Sequence, residues 1–355
     1  GNFGIPLIEE GEIEETVELY NLEAGSVSDI TSQITAFVEE TEMRAELLTC
    51  GLALVTGNPL FGAACGALIA DEALEFLGDA LEAIGTGLAE VGGFLSELGA
   101  ETADIASFFV NELGAGANDI AKAIYEGVTQ DLPTIAKALY DGVTTNVRTI
   151  ADALYDGVTT NLDTIASALQ NGIQNTTATD IADALWNGIQ NIIITPDDLS
   201  KALFNGAGFT VETIADAFND GLGFNPTFIA DALWGNGFFS NFGSNGALEL
   251  ARALDDEIFF SDFGNYADEF AKALVNGSGL TFCTVADVFD DGLIFSSDFI
   301  ADALWGNGFF SSFGNNGLGE LVGILRREGL STENIVNSLS RTLNFPTSAI
   351  SSAFS

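Results

Sequence analysis

The chain has 355 residues, of which 52 are acidic and 10 are basic, and its formal net charge at pH 7 is −42. Such a charge repels nucleic acid and leaves no Lys/Arg patches to displace phosphate counterions, which excludes nucleic acid as a partner. The chain has no histidine, so Ser-His-Asp and Cys-His catalytic groups and HExxH zinc sites are excluded as well. Hydrophobic residues make up 47% of the chain, which indicates a folded protein with a continuous core.

An acidic surface with few lysines has two interpretations. It is typical of a halophilic protein, because salt at about 1 M screens charge repulsion beyond about 3 Å. It is equally typical of a surface that collects divalent cations.

The N-terminal part of the chain is predicted to form two segments. Residues 1–26 form an extended acidic N-terminal arm, which is either a solvated tail or a segment that docks on a neighbouring subunit by strand addition. Residues 27–110 form a Gly/Ala-rich helical domain. Within it, Leu47–Ala70 is uncharged and long enough to span a bilayer. Pro59 breaks a helix there, so we predict a hairpin of two buried helices and no stable membrane span.

The three cysteines give one disulfide candidate. Cys50 and Cys65 could pair across that hairpin, which would indicate an oxidising compartment. The alternative is two small buried hydrophobic side chains. Cys283 has no evident partner and is predicted to be buried.

Residues 111–198 contain a repeated sequence motif. Its copies are headed by Ile120, Ile135, Ile150 and Ile165, so the motif recurs at every fifteenth position, which is typical of a repeat architecture. Each copy reads as one helix of about ten residues, which is shorter than the roughly 12–15 that an isolated helix needs in water. The copies are therefore expected to stack and share a core.

One copy, residues 159–173, illustrates how each helix is expected to begin and end. Asn161 is placed to cap the first turn, and Asp163 brings negative charge to the positive end of the helix. The apolar stripe consists of Ile165, Ala168, Leu169 and Ile173. Gly172, like Gly157 in the preceding copy, is predicted to adopt the left-handed conformation that closes a helix.

Residues 199–355 carry a larger repeat followed by a C-terminal tail. FIADALWGNGFFSNFGSNG begins at Phe228, and the nearly identical FIADALWGNGFFSSFGNNG begins at Phe299. Residues 199–269 and 270–340 are therefore predicted to be duplicated blocks. The predicted fold is mainly α: an array of short capped helices stacked as an α-solenoid-like body, preceded by the Gly/Ala-rich domain and the arm.

Two sets of side chains are candidate sites. Aspartates just before a terminal glycine would form a row suited to calcium, although Asp before Gly is also the ordinary way to end a helix: Asp141, Asp156, Asp220 and Asp291. Aromatic residues near the ends of two helices are candidates for subunit contact or sugar stacking, with packing between repeats as the alternative. They are Trp234, Phe238, Phe239, Trp305, Phe309 and Phe310. In addition, Asn175 and Asn276 each begin a glycosylation tripeptide.

The expected function is structural. Adjacent carboxylates such as Asp197 and Asp198 lie on one solvated helix end, which does not provide the two opposed carboxyls of a glycosidase, so no catalytic residue is predicted. We expect a non-enzymatic protein of the cell exterior or cell surface: a self-assembling subunit of a filament, sheath or surface layer, or an adhesin. Its expected partner is a second copy, with divalent cations or surface glycans as further ligands and calcium as the one candidate cofactor.

Two alternative functions follow from other features. An acidic repeat module could bind calcium, sugar or a protein through one repeated face. A secreted membrane-active protein could insert the 47–70 hairpin.

Overall fold

The computed structural model of the protein describes most of the chain from residue 87 onwards. The described residues are Cys50, Leu52, Val55, Leu74, Leu77, Gly78 and the ranges 87–190, 192–239, 245–255, 266–306, 308–310 and 316–355. The N-terminal arm, Cys65 and nearly all of the 47–70 hairpin lie outside them.

The described residues are mainly helical and contain no β-strand, which confirms the predicted class. They divide into two compact units. The first comprises the chain up to Thr177 together with Ala184–Ile192, and the second comprises Ala178–Asp183 together with Ile193–Ser355. No helix in the described part of the chain is both long enough and apolar enough to cross a bilayer.

The first unit consists of short helices joined by short turns. Within the range 87–190 its elements are α1 (Leu88–Glu97), α2 (Thr102–Asn111), α3 (Ala117–Gly127), α4 (Leu132–Gly142), α5 (Val147–Gly157), α6 (Leu162–Gly172) and a π-helical turn, π1 (Ala184–Gly188). Helices α3 to α6 begin at positions 117, 132, 147 and 162, so successive helices start at the same interval as successive copies of the sequence motif.

The described part of the second unit has similar helices, several of which end in a π-helical turn. They are α7 (Ala178–Asp183), α8 (Pro196–Lys201) with π2 (Ala202–Gly206), α9 (Val211–Asp216) with π3 (Ala217–Gly221), α10 (Pro226–Gly235), α11 (Gly246–Leu254), α12 (Tyr266–Lys272) with π4 (Ala273–Gly277), α13 (Phe282–Asp287) with π5 (Val288–Gly292), α14 (Ser297–Gly306), α15 (Gly317–Arg327), α16 (Thr332–Asn337) with π6 (Ser338–Thr342), and α17 (Thr347–Ala353).

A polar side chain caps the start of several of these helices. The side chain of Asn161 accepts a hydrogen bond from the backbone N–H of Thr164 at 3.2 Å, which confirms the predicted cap of α6. Thr195 and Asp198 form a reciprocal capping box at the start of α8. Such caps satisfy the N–H groups that a first helical turn leaves unpaired.

The core is built from one pattern that recurs in every copy. In α5 the pattern is Ile150, Ala151, Ala153 and Leu154, and all four side chains are fully buried. The more divergent copies likewise bury the first residue of the pattern completely, namely Ile181, Leu199, Ile214, Ile229, Phe270, Val285, Ile300 and Ile335. Each such aliphatic or aromatic side chain contributes about 1.5–3 kcal/mol by its burial.

Each helix packs mainly on the helix two places along the chain. In the first unit α1 contacts α3, α3 contacts α5, and α5 contacts π1, while α2 contacts α4 and α4 contacts α6. In the second unit α8 contacts α10 and α10 contacts π4, while α13 contacts α15 and α15 contacts α17. A helix therefore has neighbours on two sides, which is why in most copies the small Ala next to the leading residue is buried as well.

The glycines that end these helices do not have the predicted role. Gly157 is the last residue of α5, its φ is not positive, and Val158 caps the helix, so the left-handed assignment was wrong for Gly157 and likewise for Gly172. Instead, a Cβ atom at Gly157 would lie 2.5 Å from the carbonyl oxygen of Asn118 in α3 and 3.3 Å from the Cβ of Ala121. The glycine is needed because α5 approaches α3 closely at this point.

Left-handed residues do occur in the second unit, two positions beyond the π-helical turns. Gly223 follows π3 with φ +65°, and the N–H of Phe224 then donates to the carbonyl of Phe218 at 2.9 Å. This bond closes a loop of seven residues, one more than the six of a Schellman motif, because the helix ends in a π-helical turn. After π5 the same place is held by Ile294, with φ +61°.

Candidate functional site

The aromatic candidates divide into buried and half-buried side chains. Phe238, Phe239 and Phe310 are buried in the second unit, so they have almost no surface to offer a partner. Trp234 and Trp305 are half-buried, and Phe309 is too. Packing between helices therefore explains three of the six candidates, and the subunit contact of the other three stays a prediction.

The two candidate tryptophans, Trp234 and Trp305, each stack on a buried phenylalanine. Trp234 stacks on Phe239 with ring centroids 5.8 Å apart, and Trp305 stacks on Phe310 with centroids 6.0 Å apart. Trp305 also meets the edge of Phe345 at 4.9 Å. One face of each indole is thus fixed by a buried phenyl ring, which orients the part of the ring that remains at the surface.

Six large apolar side chains of the described residues are exposed and were not among the candidates, namely Ile192, Ile193, Phe204, Phe228, Ile294 and Val336. Phe204 is 36% exposed and Phe228 is 39% exposed, while Ile294 is 84% exposed in its left-handed conformation. Phe204 stacks on Phe238 with ring centroids 4.6 Å apart. Phe228 and Phe224 make an edge-to-face contact with ring centroids 5.2 Å apart. Alignment of the copies could have identified Phe204, because it follows the buried Ala-Leu pair as Trp234 does. Nothing in the sequence pattern indicated that Phe228 or Ile294 would be exposed.

The four calcium candidates are all exposed. In the first unit, Asp141 forms an ion pair with Lys137 within α4, and Asp156 accepts a hydrogen bond from the side chain of Asn118 at 3.2 Å. In the second unit, Asp220 accepts one from Asn219 at 3.0 Å, and Asp291 belongs to π5. Within the described residues, no three acidic or cysteine side chains converge as metal ligands. Calcium binding by these residues stays a prediction.

Acidic groups of the second unit repel one another around π5. Burial raises the pKa of Glu328, and the carboxylate of Asp287 raises it further, whereas Arg327 lowers it. The pKa of Asp290 is also raised, first by burial and then by Asp291 and Asp287. The folded protein thus holds these carboxylates where their negative charge is unfavourable.

Two further acidic groups have raised pKa values. Burial raises the pKa of Asp197 in α8, where Asp231 adds repulsion and Lys201 opposes it. In the first unit, burial and then Glu101 raise the pKa of Asp104. Asp104 lines a small cavity with Ser107, Phe108 and neighbouring side chains.

The cysteines differ in state. Cys50 is buried and disulfide-bonded. Cys65 lies outside the described residues, so its pairing with Cys50 stays a prediction. Cys283 is free and half-buried rather than buried as expected, and its sulfur accepts a hydrogen bond from Nη1 of Arg327 at 2.8 Å.

Comparison with known proteins finds no matching family model, no curated protein with significant similarity and no solved structure with a significant match. Function is therefore inferred from the chain's own residues.

Proposed function

We propose that this chain is a non-enzymatic structural protein of the cell exterior, a subunit that assembles with further copies of itself into a filament, sheath or surface layer. The observation that carries the proposal is that the buried core of the repeat recurs from copy to copy. In the copies of the first unit, Ile150, Ala151, Ala153, Leu154, Gly157 and their counterparts all serve contacts between helices. A repeat whose recurring buried residues pack helix against helix is suited to an architectural role.

The finer architecture is part of this proposal. Each unit is an α-solenoid-like stack, supported by the contacts that join each helix to the helix two places along. Residues 199–269 and 270–340 are duplicated blocks. This is supported by equivalent ring contacts in the two blocks, namely Phe218 with Phe224 at 5.4 Å and Phe289 with Phe295 at 5.5 Å.

The contact between subunits is proposed to use the second unit. We define its aromatic surface as Phe204, Phe228, Trp234, Ile294 and Trp305, five of the exposed or half-buried apolar side chains of the second unit. Exposed aromatic and aliphatic side chains gain about 25 cal/mol for each Å² that leaves water, so a second copy that covers them is stabilised. High salt favours this association further, because it screens the repulsion between two strongly acidic chains.

An extracellular or cell-surface location agrees with the cysteine chemistry. The disulfide at Cys50 would persist in an oxidising compartment and would be reduced in most cytosols. An adhesin built on the same helices would share this location.

Negative-stain electron microscopy and light scattering of the purified protein, at low and high salt and with and without calcium, would test the proposal. We expect regular assemblies that are favoured by high salt. The variant Phe204→Ser/Phe228→Ser should lose them while keeping its helical circular dichroism spectrum. Ile193→Asn is the matched control, because Ile193 is 94% exposed but does not belong to the aromatic surface. Single particles under every condition would refute self-assembly.

A further inference from the structure

The sequence contains two tripeptides of the form Asn-Xaa-Ser/Thr, the acceptor for N-linked glycans. They are Asn175-Thr176-Thr177 and Asn276-Gly277-Ser278. Asn225-Pro226-Thr227 is disqualified by its proline. The structure places the two tripeptides in very different surroundings.

Asn175 lies in a turn of the first unit, just after α6. It is exposed and adopts φ +62°, so its backbone is outside any helix. Thr177, which supplies the hydroxyl of the tripeptide, is exposed too. Thr176 between them fixes the turn, since its hydroxyl donates to the carbonyl oxygens of Ile173 at 2.5 Å and Leu169 at 3.3 Å. A transferase can reach Asn175 and Thr177 without opening a helix.

Asn276 presents the opposite case, although its own side chain is exposed. It belongs to the helical turn π4, and Ser278 is only 8% exposed. The Ser278 hydroxyl already donates to the carbonyl of Leu274 at 2.6 Å. Gly277 is buried, and a Cβ atom there would overlap the carbonyl oxygen of Thr227. Recognition of this tripeptide would require π4 to leave α10, against which it packs.

We propose that Asn175 carries an N-linked oligosaccharide and that Asn276 does not. In the transfer step, Nδ2 of Asn175 forms a bond to the anomeric carbon of an oligosaccharide carried on a polyprenyl diphosphate. The bond between that carbon and the diphosphate oxygen breaks, the diphosphate leaves with the electron pair, and the amide proton passes to a base of the transferase. This inference rests on the exterior location in the proposed function, because such transferases act on exported chains, and it takes the folded chain as their substrate.

Glycopeptide mass spectrometry tests the proposal on the full chain, both from its source cells and secreted from a host that glycosylates exported proteins. We expect a glycan on Asn175 and none on Asn276. Asn175→Gln and Thr177→Ala should abolish the added mass, whereas Thr177→Ser should retain it and Asn276→Gln should leave it unchanged. An unmodified Asn175 in either material, or a glycan on Asn276, would overturn the proposal.

The outcome is separable from that of self-assembly. Mass is measured on single denatured chains, so a glycan on Asn175 in a protein that stays monomeric would uphold the glycan and refute the assembly. Assembly of a protein with no glycan would give the converse result.

Discussion

The close approach of α5 to α3 makes a strong prediction at Gly157. A Cβ atom there would lie 2.5 Å from the carbonyl oxygen of Asn118, whereas ordinary contact begins near 3.4 Å, so the helices would have to separate by about 0.9 Å. Overpacking of this kind costs about 1–3 kcal/mol, and the gain in helix propensity of at most about 1 kcal/mol offsets only part of it. We expect Gly157→Ala to lower the free energy of unfolding by about 2 kcal/mol.

A comparison of alanine with asparagine distinguishes close packing from a left-handed cap. Asparagine tolerates left-handed backbone but is larger than alanine, so Gly157→Asn should destabilise at least as much as Gly157→Ala, by about 3 kcal/mol. Gly114 is the matched control in the same unit, because its φ is +59° and a Cβ atom would meet nothing within 4 Å. There the order should reverse, with Asn nearly neutral and Ala costing about 1 kcal/mol.

Urea unfolding followed by circular dichroism at 222 nm measures all four variants. For a unit of this size, about 2 kcal/mol should also appear as a fall in Tm of about 4–8 °C. The reasoning is refuted if Gly157→Asn is as stable as the wild type while Gly157→Ala is not. An unchanged stability of Gly157→Ala would refute it too.

Three other perturbations have definite signs. Ile294→Asn should raise the free energy of unfolding by about 1 kcal/mol, because asparagine adopts left-handed backbone more readily than the exposed, β-branched isoleucine that it replaces. A lower free energy of unfolding in urea would contradict this. Gly323→Ala should also stabilise, by up to about 1 kcal/mol, since Gly323 lies inside α15 with open space around it, and an unchanged Tm would argue against that geometry. Because the pKa values of Asp290 and Glu328 are raised on folding, the folded state binds protons more tightly, so stability at low salt should rise as pH falls from neutral towards the ordinary carboxyl pKa of about 4. Thermal melts should show the rise shrinking in high salt, and a Tm that falls over this range would contradict it.

Much of the local structure could be predicted because its causes are local. The cap at Asn161 and the leading Ile165 act within one turn of α6, and both were readable from spacing alone. The mainly helical class was predictable for the same reason, because each short copy of the repeat carries the apolar spacing of a helix.

The candidate surface could be predicted only in part. Trp234 and Phe239 are both large and aromatic, and nothing in their neighbours along the chain indicates which ring is covered. The answer depends on helices distant in sequence: Phe238, for example, is stacked by Phe204. The exposure of Ile294 likewise depends on the left-handed turn that follows π5, in which Ile294 has a positive φ.

The sequence by itself determined that the described chain would be short capped helices, where they begin, and which side chains of each helix are apolar, because these properties act over one or two turns. Only the tertiary structure decided that each helix packs on the helix two places along. It therefore also decided why many of the helices end in glycine. At Gly157 the reason is the carbonyl oxygen of Asn118, which lies two helices earlier in the chain, and no local rule contains that distance.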